Sequence, residues 1–190
     1  MKTLIISLKF LCLFILVTGI IYPLTVTAIV RIMFPVKADG SLVIKDGQAI
    51  GSKLIGQEFE SPVYFSSRPS AISYNPLPSG GSNFGLTNQN LVNQVDERRR
   101  QFVLRNHSDP LTAVPSEMLF ASASGLDPHI SRESALLQAD RVARERGYDD
   151  AQKQKLILCI EKLTEAPQFM ILGEERVNVL LLNLETDKIK

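Results

Sequence analysis

The sequence has few cysteines, few histidines and no excess of either charge, and each shortage excludes a class of protein. Only two cysteines occur, and Cys12 lies in an apolar run far from Cys159. No disulfide can form within the polar part of the chain, which excludes a disulfide-stapled secreted scaffold. The formal net charge of +1 argues against a nucleic-acid-binding protein, because such proteins normally carry a basic excess. The hydrophobic fraction of 45% is that of a globular protein.

Catalytic and metal-binding motifs are also missing. The two histidines, His107 and His129, stand in neither a nucleophile elbow nor an H-E-x-x-H spacing. Asp127-Pro128-His129 has the composition of a turn before a helix, because Pro128 keeps Asp127 extended. We therefore predict no catalytic residue and no metal site. A membrane-anchored extracytoplasmic hydrolase that uses His129 or His107 is the enzymatic alternative, and an anchored sensor domain is the non-enzymatic one.

Charge is absent from 21 consecutive residues, Phe10–Val30. As a helix this run would be about 31 Å long, which matches a hydrocarbon core of about 30 Å. A cleaved signal peptide is the alternative, because Lys2 and Lys9 precede the run and Val26-Thr27-Ala28 offers small residues for cleavage. The run exceeds the roughly 7–15 residues of a signal-peptide core, which favours a retained transmembrane helix.

The flanking charges do not decide the orientation of this helix. Lysines and arginines lie on both sides, namely Lys2, Lys9, Arg31, Lys37 and Lys45. Long domains translocate largely regardless of charge, so we expect residues 1–9 to form a short cytoplasmic tail and residues 31–190 an extracytoplasmic domain. We expect a single pass through the lipid.

One face of the predicted span carries hydroxyl groups. Three hydroxyl-bearing residues and one isoleucine recur at helical spacing, namely Thr18, Tyr22, Thr25 and Ile29. Gly19 allows close approach of another backbone, and Pro23 removes a backbone donor. Hydroxyls in lipid are better placed against another helix. We predict that Thr18, Gly19, Tyr22, Pro23 and Thr25 pack against a partner helix. A lone anchor that tolerates a few hydroxyls is the alternative.

The polar part of the chain is predicted to fold as one α+β domain. Leu42–Ile44 and Ala49-Ile50 flank Asp46-Gly47 and predict a hairpin. Helices are predicted from near Leu91 to Asn106, from Arg132 to Arg146 after the N-cap Ser131, and after Asp149 or Asp150. Strands are predicted at Phe169–Leu172 and Val177–Leu184, the latter buried on both faces.

A long loop is predicted between Ser61 and Asn90, where 18 of 30 residues are Ser, Pro, Gly or Asn. Four aromatic residues, Tyr64, Phe65, Tyr74 and Phe84, are expected to hold it in place. Its Ser79-Gly80-Gly81-Ser82-Asn83 run is the one phosphate-like signal, because adjacent glycines can expose backbone N–H groups to an anion. The run contains no lysine, and Arg68 is the nearest cation. A simple turn is the alternative to a nucleotide contact.

Twelve short runs, in order and at matching spacing along nearly the whole chain, resemble the KdpC subunit family of bacterial Kdp potassium-transporting ATPases. They are Thr18–Leu24, Gly40–Leu42, Leu54–Gln57, Tyr64-Phe65, Arg68–Ala71, Tyr74–Pro76, Ser79–Asn83, Ala123–Asp127, Ile130-Ser131, Arg141–Ala143, Val177–Val179 and Leu182–Leu184. Each run alone is weak evidence for membership of this family, and together they are strong evidence.

This resemblance implies a non-catalytic, single-span accessory subunit of a potassium pump in the inner (plasma) membrane of a bacterium. The implied partners are a potassium-channel-like subunit, a P-type ATPase subunit and a small single-helix subunit, together with membrane lipid and no nucleic acid. The resemblance also implies a catalytic-chaperone role that raises the ATP affinity of the ATPase subunit. ATP, shared with that subunit in the complex, is therefore the one cofactor that the resemblance implies. ATP is cytoplasmic, whereas the topology above places residues 31–190 outside. We therefore expect a role in assembly and in shaping ion access.

Overall fold

A computed structural model describes all 190 residues, Met1–Lys190, which divide into two compact units, Met1–Ile50 and Gly51–Lys190. The architecture is α+β, as predicted, with an apolar N-terminal helix and a mixed region of helices and short strands. In chain order the first unit contains α1 (Lys2–Leu16), a π-helical turn (Val17–Ile21), α2 (Tyr22–Met33), α3 (Pro35–Ala38), β1 (Leu42–Lys45) and the start of β2 (Gln48–Ser52).

The first helical run is continuous from Lys2 to Met33 and is the one helix long and apolar enough to cross a membrane. Its 32 residues extend over about 48 Å, which exceeds the hydrocarbon thickness of about 30 Å. The helix begins at Lys2, so most of the predicted cytoplasmic tail is helical. None of its residues is buried within the unit.

Within this continuous helix a π-helical turn, Val17–Ile21, lies just before Pro23, and Tyr22 N–H bonds to the carbonyl of Val17, five residues back. A proline ring crowds the carbonyl four residues before it, here that of Gly19, and it has no N–H to donate. A widened turn at this point accommodates both effects, and π-helical turns are common at such interruptions.

The hairpin that follows is confirmed. β1 and β2 form a two-stranded sheet around Asp46 and Gly47, which both have positive φ, at 52° and 78°. This is the backbone that Asp-Gly favours in a two-residue hairpin turn.

The second unit contains α4 (Gln89–Asn106), a 3₁₀ turn (Ser116–Met118), β3 (His129-Ile130), α5 (Arg132–Glu145), α6 (Asp150–Leu163), β4 (Thr164-Glu165), β5 (Arg176–Asn178) and α7 (Val179–Thr186). The predicted caps are confirmed: the Ser131 side chain accepts from Ser134 N–H, and Asp149 forms a capping box with Gln152. Gly147 follows α5 at a φ of 66°, the left-handed backbone with which a glycine commonly terminates a helix.

The small sheet of this unit is antiparallel, with strand order β3-β5-β4. His129 pairs with Asn178 and Ile130 with Val177 on one side of β5, while Thr164 pairs with Val177 on the other. The core forms where α5 and α6 pack on this sheet. Its fully buried members include Phe65, Ala135, Val142, Leu156, Ile160, Val177 and Leu182.

Two strand predictions are wrong. Within Val177–Leu184 only the first two residues are strand, because Asn178 accepts a hydrogen bond from Leu181 N–H and begins helix α7. A short apolar run buried on several sides does not distinguish strand from helix, and leucine favours a helix. Phe169–Leu172 is not a strand but a turn at the tip of the β4–β5 hairpin, where its side chains are exposed.

Candidate functional site

The long segment between β2 and α4 contains no helix or strand, yet polar side chains from α5 and α7 bind its backbone tightly. The amide of Asn183 makes two bonds to Phe65, accepting from its N–H at 2.8 Å and donating to its carbonyl at 3.0 Å. The Gln138 carbonyl accepts from Ser66 N–H at 2.8 Å. These amides replace the neighbouring strand that the segment lacks, so its buried backbone groups are satisfied. Of the four aromatic residues predicted to hold this loop, Phe65 is fully buried, Tyr64 and Tyr74 are half-buried, and Phe84 is exposed.

Arg141 is the centre of this arrangement and is only 1% exposed. Its guanidinium donates to the carbonyls of Pro62 and Tyr64, to the Asn106 side chain at 2.9 Å and to Gln138 at 3.0 Å. Burial lowers the pKa of Arg141 to about 10, which leaves the group charged at neutral pH. All of these acceptors are neutral, so the charge is solvated by dipoles alone. Such a group positions a loop and is not free to react.

Asp127, Arg68, His129 and Glu117 form a second polar cluster, which lines a cavity of about 650 Å³. Arg68 Nη1 lies 2.8 Å from Asp127 Oδ2, and His129 Nδ1 lies 3.4 Å from Asp127 Oδ1. Burial raises the pKa of the Asp127 carboxyl, but the bonds from His129 and Arg68 outweigh it and bring that pKa to about 2. Asp127 is therefore ionised at neutral pH and is held between two cationic or hydrogen-bonding partners.

Glu117 in the same cavity is also bound by its neighbours. Its carboxylate accepts from Ser131 N–H and from the Ser134 hydroxyl, both at 2.7 Å. Burial raises the pKa of Glu117, but these bonds outweigh it and the pKa is lowered. The Ser131 hydroxyl caps α5, so the serines nearest His129 in sequence serve the helix terminus.

The other histidine lies elsewhere. His107 is exposed and follows α4 at a φ of 50°, so its position is that of a helix C-cap. No group of three His, Cys, Asp or Glu side chains lies close enough to hold a metal ion.

The predicted anion loop Ser79–Asn83 packs against the segment Ser122–Gly125. Gly80 N–H and the Ser79 hydroxyl both donate to the carbonyl of Ser124, at 3.1 and 3.0 Å. A Cβ on Gly81 would meet the Ala123 carbonyl at 3.1 Å. Two of the groups expected to face an anion are thus bonded within the domain, and Arg68, the nearest cation in sequence, is paired with Asp127.

The residues predicted for partner-helix packing lie at and after the π-helical turn. The hydroxyls of Thr18 and Thr25 donate to the carbonyls of Phe14 and Ile21, at 2.6 and 2.8 Å. Each hydroxyl is therefore satisfied within its own helix. Gly19 has no atom of the chain within 4 Å of the place where a Cβ would stand, and Tyr22 is 65% exposed. This leaves an open surface at the glycine for a second helix.

Comparison of the sequence with known proteins identifies its family. The family model described as "KdpC: K+-transporting ATPase, c chain" matches residues 4–188, nearly the whole chain. This chain belongs to the KdpC family. It is 46% identical over 176 residues to the potassium-transporting ATPase KdpC subunit of Dechloromonas aromatica, which covers 91% of this chain and 90% of that protein.

Two further KdpC relatives match at similar levels. Identity is 44% over 182 residues to the potassium-transporting ATPase KdpC subunit of Leptospira interrogans, covering 96% of this chain and 92% of the relative. It is also 44% over 188 residues to the protein of the same name from Geotalea uraniireducens, covering 96% of each chain. The match includes the spanning helix as well as the domain, so the family resemblance seen in the sequence is confirmed.

Sequence reasoning missed the polar side chains that organise the KdpC domain. Gln138 and Arg141 lie on the buried face of α5 among alanines and valine, and Asn183 interrupts a run of leucines. A charged or amide residue within an apolar face is the signal that could have found them, because such residues are buried only when their hydrogen bonds are satisfied.

Proposed function

We propose that this chain is a non-catalytic accessory subunit of a potassium-transporting ATPase complex. The observation that carries the proposal is the KdpC family match over residues 4–188, together with relatives named as KdpC subunits of such ATPases, matched over 90% and 96% of their length. The proposed partners are a potassium-channel-like subunit, a P-type ATPase subunit that contains the catalytic site, and a small single-helix subunit. Membrane lipid surrounds the anchor.

The internal bonding of the polar side chains supports a non-catalytic role. Arg141 binds backbone carbonyls and amides, and Asp127 is held by Arg68 and His129. General acid–base chemistry needs a group whose pKa lies near the working pH and that can reach a substrate. The pKa of Asp127, at about 2, is far below that range.

We propose that the single helix anchors the chain with its N-terminus in the cytoplasm and residues 31–190 outside a bacterial plasma membrane. The support is that one helix only is long and apolar enough to span, and that long domains cross regardless of charge. The test uses Leu111→Cys, at a residue that is 88% exposed, in intact spheroplasts. A membrane-impermeant maleimide should label it without lysis, and labelling only after lysis would place the domain inside.

The accessory role is tested by purifying a tagged full-length chain from its native membrane in mild detergent. We expect a stoichiometric complex that contains a channel-like subunit and a P-type ATPase subunit. Recovery of the chain as a clean monomer would contradict the proposal. It would favour instead a sensor domain or a hydrolase that depends on His129 or His107.

We propose that the run Ser79–Asn83 serves the structure of the domain and not a nucleotide contact. The Ser79 hydroxyl and Gly80 N–H already donate to the Ser124 carbonyl, and the proposed topology keeps the run away from cytoplasmic ATP. Irradiation of the purified complex with a photoreactive ATP analogue should leave Ser79–Asn83 unlabelled. Labelling there that excess ATP suppresses would instead support direct participation in raising the ATP affinity.

A further inference from the structure

An exposed apolar tip closes the hairpin between β4 and β5. We call Phe169–Leu172 the apolar tip. Its four side chains are 86%, 88%, 82% and 60% exposed, and none of them belongs to the core or packs against it. Scattered exposed apolar residues are ordinary, but a contiguous exposed group marks an interaction site. The fold of the domain therefore gives no reason for four successive large apolar residues at this place.

The backbone of the tip is also unusual for these residues. Phe169 and Met170 have φ values of 53° and 63°, a conformation that costs non-glycine residues and that hairpin turns usually assign to Asn or Gly. The turn is nevertheless closed on both sides, because Gln168 and Leu172 exchange backbone hydrogen bonds at 2.8 and 2.9 Å. The hairpin thus presents two bulky apolar side chains at its end in a defined geometry.

The charges beside the tip indicate what covers it. Glu174 and Glu175 follow it after Gly173 and form no salt bridge, although Glu175 lies near enough to Arg132 to act on its charge, while Arg176 at the base of the hairpin is paired with Glu165 at 3.0 Å. No lysine or arginine occurs between residues 166 and 175. Membrane-inserting segments carry lysine and arginine, which anionic lipid attracts. These two carboxylates, neither of them in a salt bridge, would be repelled by such a surface and would be attracted by a basic protein surface.

A second copy of this chain does not offer the complementary surface beside its own tip. The cavity next to the tip has acidic lining residues in excess, with Glu117, Asp127, Glu174 and Glu175 against Arg68 and Arg176. Because Arg68 is already paired with Asp127, the carboxylates that remain would repel the acidic flank of another hairpin. The occupant must instead supply positive charge.

We infer that the apolar tip inserts into an apolar pocket, rimmed by lysine or arginine, on another protein subunit of the transport complex. The tip supplies the buried anchor of the contact, and Glu174 and Glu175 supply its charged rim, which is the usual arrangement of an interface. This inference rests on the proposed function as a complex subunit.

The test replaces Met170 by a photoreactive benzophenone amino acid in the full-length chain, expressed in cells together with the other subunits. Irradiation should join the chain to another protein subunit of the complex. An adduct with lipid, an adduct with a second copy of this chain, or no adduct would each overturn the inference. The matched control places the same amino acid at Leu111, which is equally exposed at 88% but lies outside the hairpin, and should give no subunit adduct.

A charge-reversed variant tests the rim. Glu174→Lys with Glu175→Lys, in the chain with benzophenone at residue 170, should lower the adduct yield about tenfold by bringing like charges together. Asp109 is exposed and forms no salt bridge, so Asp109→Lys is the control and should leave the yield unchanged. An unchanged yield in the Glu174/Glu175 variant would overturn the charge complementarity. If the unmodified chain co-purifies with its partners but residue 170 gives no adduct, this inference fails while the proposed function stands.

Discussion

At the scale of single residues, the buried charge of Arg141 fixes the position of a loop backbone by hydrogen bonds. Arg141 is buried without a carboxylate partner, and its planar guanidinium donates to two backbone carbonyls and two side-chain amides. A lysine could not reproduce this fork of donors. Removing one partner of such a network leaves buried groups unpaired. The residue that the sequence presents as one more helix arginine therefore orders the loop around Phe65.

Asp127 gives the domain a dependence on acid pH. Its carboxylate has a pKa of about 2 in the folded chain, below the usual 3.8. Ionised Asp127 therefore stabilises the fold fully above about pH 4, and this contribution is lost as the pH falls through about 2. Asp127→Asn should lower the free energy of unfolding by about 1–2 kcal/mol at pH 7. Thermal unfolding of the full-length chain in detergent should show the difference closing between pH 4 and 2.

Asp109→Asn is the control for this prediction. Asp109 also precedes a proline and also accepts from the N–H two residues on, that of Leu111, at 2.7 Å. It has no arginine partner, so its replacement should change stability by less than about 0.5 kcal/mol. Equal losses in the two variants, or a loss that does not vary with pH, would show that the turn and not the charge pair matters.

At the scale of elements, the irregular segments depend on close backbone packing where a sheet would use strand pairing. Gly125 has a φ of 70°, and a Cβ there would lie 2.4 Å from Ile72 Cγ1 and 2.9 Å from the Gly80 carbonyl. The run Ser79–Asn83 and the segment Ser122–Gly125 can meet only because this position has no side chain.

Gly125→Ala should therefore cost much more than a glycine replacement at an open position. Gly147 has a similar φ of 66° but nothing within 4 Å of a Cβ. Gly147→Ala should cost about 1–2 kcal/mol from backbone conformation alone. Gly125→Ala should cost about 1–3 kcal/mol more, because the added methyl group overpacks the loop contact. Chemical denaturation of both variants measures the difference, and equal costs would refute the close approach.

At the scale of the whole molecule, the candidate spanning helix Lys2–Met33 has no buried residue of its own. Its threonine hydroxyls bond to their own helix, so the lipid tolerates them with or without a partner. Whether a helix packs there depends on shape, and Gly19 leaves open space along one side.

A bulky residue on the packing face should weaken assembly. Thr25→Leu and Gly19→Leu should each lower the recovery of partner subunits in mild detergent about tenfold, which corresponds to about 1.4 kcal/mol of lost packing. The matched control for Thr25→Leu is Thr27→Leu, because Thr27 lies about 200° further around the helix than Thr25 and also bonds to its own backbone, at the Pro23 carbonyl. Full recovery with Thr25→Leu and Gly19→Leu would show that this face meets only lipid.

Much of this protein follows from local patterns that need no knowledge of distant residues. The uncharged run Phe10–Val30, the Asp46-Gly47 turn and the caps Ser131 and Asp149 act within one or two turns of chain, so their structures could be predicted. The candidate site could be predicted only in part. The adjacent glycines of Ser79–Asn83 indicate a turn or an anion loop, but the hydrogen bonds of this run go to Ser124, a residue distant in sequence.

What remained was decided by packing between distant segments. Leu180–Leu184 became a helix because Asn178 capped it and the core enclosed it on several sides. Burial of Arg141 depends on carbonyls about 80 positions earlier in the chain, which no local pattern records. Phe169–Leu172 has the composition of a buried strand, yet the hairpin carries it away from the core. Hydrophobicity alone states that a residue avoids water, and only the tertiary structure decides whether its own core or another molecule covers it.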